Sequence, residues 1–226
     1  HFLAYHPTTV IITCIELEHT EIYKDIEDTI KTFEEFANKA ETVIANGDDL
    51  NIRKINFKNK VVFYGEDESN DYIIKDIKLE TTGSSFTLYK KDELIDTFSI
   101  PLYGHHMVMN TAAAIISALD EGVSKEKIKE LLPNFKNANR RFAETKVGDT
   151  IIVDDYAHHP TEVKVTLEAI RQKYPDKKLT VVFRPNTYSR TSRFKKEFAD
   201  ALKVADKVYL TPIKCDREDP KDYPPI

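Results

Sequence analysis

The sequence predicts an α/β protein built on parallel sheet, with an antiparallel meander in its first half and a division into two domains. Three observations carry this. Short β-branched runs alternate with helical apolar periodicity from residue 9 onward. Three consecutive strand-like segments then interrupt the rhythm between residues 72 and 100. It resumes after a polar stretch at residues 136–139 that lacks any periodicity.

The run Thr-Val-Ile-Ile-Thr at 9–13 reads as a buried strand. Ile26, Ile30, Phe33 and Ala37 follow at helical spacing and give an amphipathic helix. A second strand is expected at 42–46, a short helix at 48–54 and a third strand at 61–64. The segments 72–80, 85–90 and 95–100 read as a meander, with Gly83-Ser84 and Lys91-Asp92 at its turns. Two helices come next. Val108, Ala112, Ile115, Ile116 and Leu119 form the apolar face of one, and Gly122 stops it. Ser124 caps the other, with Ile128, Leu131 and Leu132 expected inward.

The domain boundary is placed in the polar stretch, giving domains 1–137 and 138–226. The second domain opens on a hairpin around Gly148-Asp149. Strand 151–155, helix 160–174, strand 179–183, helix 192–204 and strand 207–210 then form the clearest βαβαβ unit. Pro160 suits a first helical position, where its missing N–H is harmless. The first of these helices is expected to bury Val163, Leu167, Ile170 and Tyr174, and the second Phe194, Phe198, Leu202 and Ala205.

Composition narrows the function classes. The 226 residues are 41% hydrophobic and 31% charged, the balance of a globular protein with a real core. A net charge of −5 with mixed signs offers no basic patch for nucleic acid. Cys14 and Cys215 lack zinc-site spacing, and two reduced thiols in a cytoplasmic protein is the plain reading. No apolar stretch approaches the roughly 20 residues of a membrane span, and no signal peptide is evident. Because the chain starts at His1 and stops at Ile226 just after a strand, it is expected to be a piece of a longer protein.

In open parallel sheets, ligands bind beyond the carboxyl ends of the strands. Two loops are expected at that edge in the second domain: Asp154-Asp155-Tyr156-Ala157-His158-His159-Pro160 and Arg184-Pro185-Asn186-Thr187-Tyr188-Ser189-Arg190. They concentrate carboxylates, imidazoles, guanidiniums and phenols, a set suited to an anionic ligand. The plainer alternative is that Asp155 and His159 cap the helix at Pro160. Arg140-Arg141-Phe142 lies at the domain boundary, where cofactors often bind, although adjacent arginines are commonly just solvated. His19, with Glu16 and Glu18, offers metal-ligand chemistry, against the plainer reading of a surface histidine. Gly104-His105-His106-Met107-Val108-Met109-Asn110 opens a helix whose N-terminus suits a phosphate or a base, or is simply capped.

These residues resemble the Mur ligases of peptidoglycan synthesis, through Arg140-Arg141-Phe142, the segment from Asp154 to Glu162 and the segment from Pro185 to Thr191. Gly104 to Asn110 and Thr13 to His19 support the likeness. The resemblance implies the second half of a central ATP-binding domain of ATPase type, followed by the first part of a Rossmann-like C-terminal domain. It also implies an ATP-dependent carbon–nitrogen ligase that activates a muramic acid carboxylate as an acyl phosphate, which an amine then attacks. Within the family, Thr187-Tyr188-Ser189-Arg190-Thr191 favours UDP-N-acetylmuramate and L-alanine as substrates. The alternative acceptor is a preformed peptide in a recycling ligase.

The same resemblance assigns roles. His19 would hold a magnesium ion. Asn110, with His106, would meet adenine. Arg141 would reach the terminal phosphate of ATP, and Asp155 the ribose. Tyr156, His158, Asn186 and Arg190 would face the substrates, with His158, Arg190 and Arg141 carrying the catalysis. Cys14 and Met107 stand where the family usually has Asn, Arg184 where Gln is common and Asn186 where His is common.

No Gly-rich phosphate loop ending in Lys-Ser or Lys-Thr occurs in these residues. In the family that loop lies upstream, so a missing N-terminal segment of the same protein would supply it, and the 226 residues alone are expected not to turn over ATP. Two other readings stay open: a non-catalytic nucleotide- or sugar-binding module, and a metal-dependent hydrolase using the His-His pair.

Overall fold

The computed structural model describes residues 2–20, 22–213 and 218–223. Its residues fall into two compact units that divide between Phe135 and Lys136, with Glu80–Thr82 grouped with the second. Among the described residues no helix is long and apolar enough to cross a membrane.

The first unit is a six-stranded sheet in sequence order: β1 (Thr9–Ile12), β2 (Thr42–Asn46), β3 (Lys60–Gly65), β4 (Tyr72–Glu80), β5 (Gly83–Lys90) and β6 (Glu93–Ile100). The first three strands are parallel, with Val43 opposite Val10 on one side and Val61 on the other. Helix α1 (Ile26–Ala37) makes the β1–β2 crossover. Asp25 caps it by accepting a hydrogen bond from the Asp28 N–H, which offsets one of the orphan donors of the first turn. The meander is continuous with the parallel sheet. Tyr72 and Ile73 of β4 pair in parallel with Tyr64 and Gly65, so β4 starts where β3 ends. Strands β5 and β6 pair antiparallel, with a register shift at Leu88/Tyr89.

Helix α2 (His105–Asp120) lays Val108, Ala112, Ile115 and Ile116 onto this sheet, against Tyr64, Ile74, Phe86, Leu88 and Phe98. A second core under α1 joins Val10, Ile12, Ile30, Ala37, Val43 and Ile52. Ser124 caps α3 (Lys125–Leu131) through the Lys127 N–H. Ile128 is buried as expected, but Leu131 is 53% exposed, because this seven-residue helix turns only one apolar position inward. The expected helix at 48–54 is reduced to a 3-10 turn over Ile52–Lys54. Asp49 Oδ1 accepts from the N–H groups of Asn51 and Ile52, a local side-chain bond that competes with a helical start.

The second unit opens on the antiparallel hairpin β7 (Ala143–Val147) and β8 (Thr150–Asp154), closed by Gly148-Asp149. Gly148 has φ +57°, a region that favours glycine. Helix α4 (Pro160–Lys173), strand β9 (Thr180–Phe183), helices α5 (Tyr188–Arg193) and α6 (Lys195–Leu202) and strand β10 (Lys207–Leu210) follow. The helix expected at 192–204 is therefore two helices, starting earlier and breaking at Phe194, whose ring lies edge-on to His159 at 5.2 Å. Val163, Leu167, Phe183, Phe198, Ala201 and Leu202 form the core, with Ile170 and Phe194 packed partly against it. The expected three-stranded parallel sheet does not close. β9 pairs with β10 in parallel, while β8 pairs with β7 and, among the described residues, makes no ladder with β9.

Candidate functional site

In the first unit the loops leaving β1, β2 and β3 are locked to one another. Asn46 Nδ2 donates to the Thr13 carbonyl at 3.0 Å, and the Ile15 N–H donates to Asp49 Oδ2 at 2.9 Å. Asp48 accepts from the Glu66 N–H at 2.6 Å, the Asp67 N–H at 3.2 Å and Asn70 Nδ2 at 2.8 Å. Arg53 donates to the Gly47 carbonyl and to Asn70 Oδ1, both at 2.7 Å, with its guanidinium over the Phe63 ring. The close approach requires glycine at 65, where a Cβ would lie 2.4 Å from the Asp48 carboxyl.

None of Asp48, Asn70, Arg53 or Tyr64 stood out from the sequence. Loop carboxylates and amides are common, and only the packing shows which converge. Tyr64 is fully buried at the end of β3, and its hydroxyl has no hydrogen-bond partner. Burial, then the charges of Cys14 and Asp48, push its pKa well above the usual phenol value.

Helix α2 begins at this edge, since His105 Nε2 meets Glu66 Oε1 at 2.7 Å. Gly104 at φ +92° makes the turn into the helix. His106 and Asn110 lie one turn apart and share a face; His106 is half-buried and Asn110 exposed. Met107 packs partly into the main core rather than standing at the surface. His19 is exposed, with φ +51°, and Cys14 is an exposed thiol. Cys215 lies outside the described residues. Among the described residues no three His, Cys, Asp or Glu side chains converge to hold a metal.

In the second unit the structure brings Arg141, Asp155, Tyr156 and His158 together with Arg140, Asp154 and Glu162. The Tyr156 N–H donates to the Arg140 carbonyl at 3.0 Å, which ties the two segments at the carboxyl end of β8. Both guanidiniums lie over the Tyr156 ring, at 5.2 Å for Arg140 and 5.8 Å for Arg141. Arg140 also pairs with Asp154 at 3.4 Å, and Arg141 with Glu162 at 3.8 Å. Both pairs are about half exposed, so they steer the side chains more than they stabilise the fold.

Asp155 is a fastener. It accepts from the N–H groups of Phe142 and Ala157 at 2.8 Å each, and from the Thr166 hydroxyl at 3.4 Å. His158 Nδ1 lies 2.8 Å from the Tyr156 carbonyl. A carbonyl only accepts, so Nδ1 carries hydrogen, and Glu162 Oε2 lies 3.3 Å from the same nitrogen. His159 is 7% exposed and caps α4: its ring accepts from the Thr161 N–H, while Glu162 accepts from the N–H groups of His158 and His159.

The second predicted loop is placed differently. Arg190 is 7% exposed, inside the short helix α5. Asn186 precedes Thr187, whose φ of +70° turns the chain into that helix. The N–H groups of Tyr188 and Ser189 and the Ser189 hydroxyl donate to Glu218. Glu218 was not singled out from the sequence, because nothing local marks a partner 29 residues away.

Two α/β units, the second with arginines stacked over a tyrosine beside a positioned histidine at a strand's carboxyl end, gather the side chains that an anionic ligand would need. Residues 2–118 match the family model for the Mur ligase middle domain, and residues 140–225 that for the Mur ligase, glutamate ligase domain. The chain belongs to the Mur ligases. A UDP-N-acetylmuramate–L-alanine ligase of Ligilactobacillus salivarius is 44% identical over 214 residues, covering 94% of this chain and 48% of that protein.

Two solved structures share the fold. UDP-N-acetylmuramate–alanine ligase from Thermotoga maritima has a TM-score of 0.77 and 23% identity, over 94% of this chain and 47% of that one. A MurF ligase from the same organism, in complex with ADP, has a TM-score of 0.72 and 21% identity, over 91% and 48%. The chain spans about half the length of the curated relatives it matches.

Proposed function

We propose that this chain is part of a cytoplasmic ATP-dependent ligase of peptidoglycan precursor synthesis that joins L-alanine to UDP-N-acetylmuramate. The observation that carries the reading is the 44% identity across 94% of the chain to ligases of that description. The cluster of Arg141, Tyr156 and His158 has the chemistry such a reaction needs, and the domains run 1–137 and 138–226. ATP, when bound, supplies the phosphoryl group that activates the muramic acid carboxylate.

The chain's own residues bind and position. Arg141, steered by Tyr156 and Glu162, offers a forked donor to a phosphate. Asp155 holds Phe142 and Ala157 in place, and with them the loop that would meet the ribose. His106 and Asn110 present one face of α2 to the base. His158, held through Nδ1, takes up the proton of the incoming amine at Nε2. Arg190, Asn186 and Tyr156 face the substrates. Magnesium assists through His19 only if ligands from elsewhere complete its shell, and no step is derived through it.

The test is a ligation assay on the protein at the length of its relatives, with ATP, UDP-N-acetylmuramate and either L-alanine or a tripeptide. L-alanine is the expected acceptor; exclusive use of the tripeptide would move the protein to the recycling ligases. His158→Ala is expected to lower kcat about 10²-fold. The 226-residue chain alone is expected to release no phosphate from ATP, since it contains no Gly-rich loop with Lys-Ser or Lys-Thr.

A further inference from the structure

Helix α2 carries the face that would meet the base, yet its own sequence does little to fix the turn from which that face starts. Its N-cap is Gly104, which has no side chain to bond the first-turn N–H groups, and its first turn holds no acidic residue. The positive end of a 16-residue helix favours a nearby carboxylate. Here that carboxylate comes from another element. Glu66, in the loop leaving β3, places Oε1 2.7 Å from Nε2 of His105, the first residue of α2.

Glu66 is itself held from behind. Its N–H donates to Asp48 Oδ2 at 2.6 Å, and Asp48 Oδ1 accepts from Asn70 Nδ2 at 2.8 Å. Asn70 is 3% exposed, and its Oδ1 accepts from Arg53 at 2.7 Å. A line of bonds thus runs from the buried Asn70 amide to the backbone of Glu66, and through the Glu66 side chain to the start of α2. The side chains of Glu66 and His105 are each 51% exposed. A pair so open to water adds little to global stability, so its effect is local: it fixes the direction of the first turn. His106 follows directly, and Asn110 lies one turn further on the same face.

We propose that Glu66 and His105 are positioning residues that fasten the first turn of α2 and so hold His106 and Asn110 in place for the base of the nucleotide. This rests on the reading of that face as part of an ATP site. Glu66 and His105 act through the helix, and neither is assigned a contact with the nucleotide.

Steady-state kinetics on the protein at its relatives' length test this. Glu66→Ala and His105→Ala should each raise KM for ATP about threefold to fivefold and leave kcat and Tm unchanged. The double variant should match either single one, because the second substitution removes nothing further. His105→Gln, whose amide nitrogen can still donate to Glu66, should keep the KM of the unsubstituted protein. Hydrogen exchange reads the fastening without any ligation. In Glu66→Ala the amides of residues 107–109, which bond back to the first turn, should exchange about threefold to fivefold faster, and those of residues 112–117 at an unchanged rate. An unchanged KM in both single variants, or single effects that multiply in the double variant, would overturn the proposal. So would unchanged exchange at 107–109, whatever the protein ligates. Faster exchange there in a protein that performs no ATP-dependent ligation would keep the fastening and remove the ATP-site reading instead.

Discussion

Asp155 shows how one carboxylate can serve the structure and still have room for a ligand. Two backbone N–H groups and a hydroxyl already occupy it, yet a carboxylate has about four acceptor positions, so one remains for a ligand. Its first duty is to hold Phe142, and with it the neighbouring Arg141, against the Tyr156 loop. Tyr64 is the opposite case, a buried hydroxyl that bonds to nothing. Burying a hydroxyl without a partner costs free energy, so Tyr64→Phe should keep the packing and remove that cost. Its unfolding free energy in urea should match or exceed that of the unsubstituted chain by up to about 1 kcal/mol. A loss of that size instead would show that the hydroxyl is satisfied.

At the scale of elements, side chains that reach backbone groups decide where segments begin. The His159–Glu162 box starts α4 and thereby sets the direction in which Tyr156 and His158 leave β8. Asp206 does the same for β9, accepting from the Leu179 N–H at 2.7 Å and pairing with Arg171 at 2.9 Å. The Leu179 amide first, and then Arg171, hold the Asp206 carboxyl below its usual range. A carboxyl lowered in the folded state contributes stability that is present above its unfolded pKa of about 3.9 and is lost as the pH falls below it. Asp206→Asn should therefore lower Tm at pH 7, and its difference from the unsubstituted chain should shrink below about pH 4. An equal difference at pH 3 and pH 7 would rule this out.

For the molecule as a whole, the two units have separate cores of unequal size. The first buries two clusters, including Phe86 and Phe98; the second buries one smaller cluster around Phe183 and Phe198, beside an open strand gap. Phe86→Ala and Phe198→Ala should each cost about 3–5 kcal/mol in their own unit. In calorimetry the Phe198 variant should lower the transition of the second unit, which is expected to melt first, and the Phe86 variant that of the first. A common shift of both transitions by either variant would contradict independent cores.

Local patterning alone determined most of the elements. Ile26–Ala37, the Val108–Ile116 face, the Gly148-Asp149 hairpin and the helix at Pro160 were all legible, because apolar period, caps and turn residues are local signals. Asp154–His159 and Arg140-Arg141 were legible as a candidate site from their expected place at a strand's carboxyl end, and the structure brings them together. Tertiary structure decided the rest. It put Arg190 in the interior, Glu218 on the start of α5, and Asp48, Arg53 and Asn70 in one network. It also left β8 apart from β9. Strand pairing and long-range bonds join residues tens of positions apart, and a sequence read by its local periods holds no term for that distance.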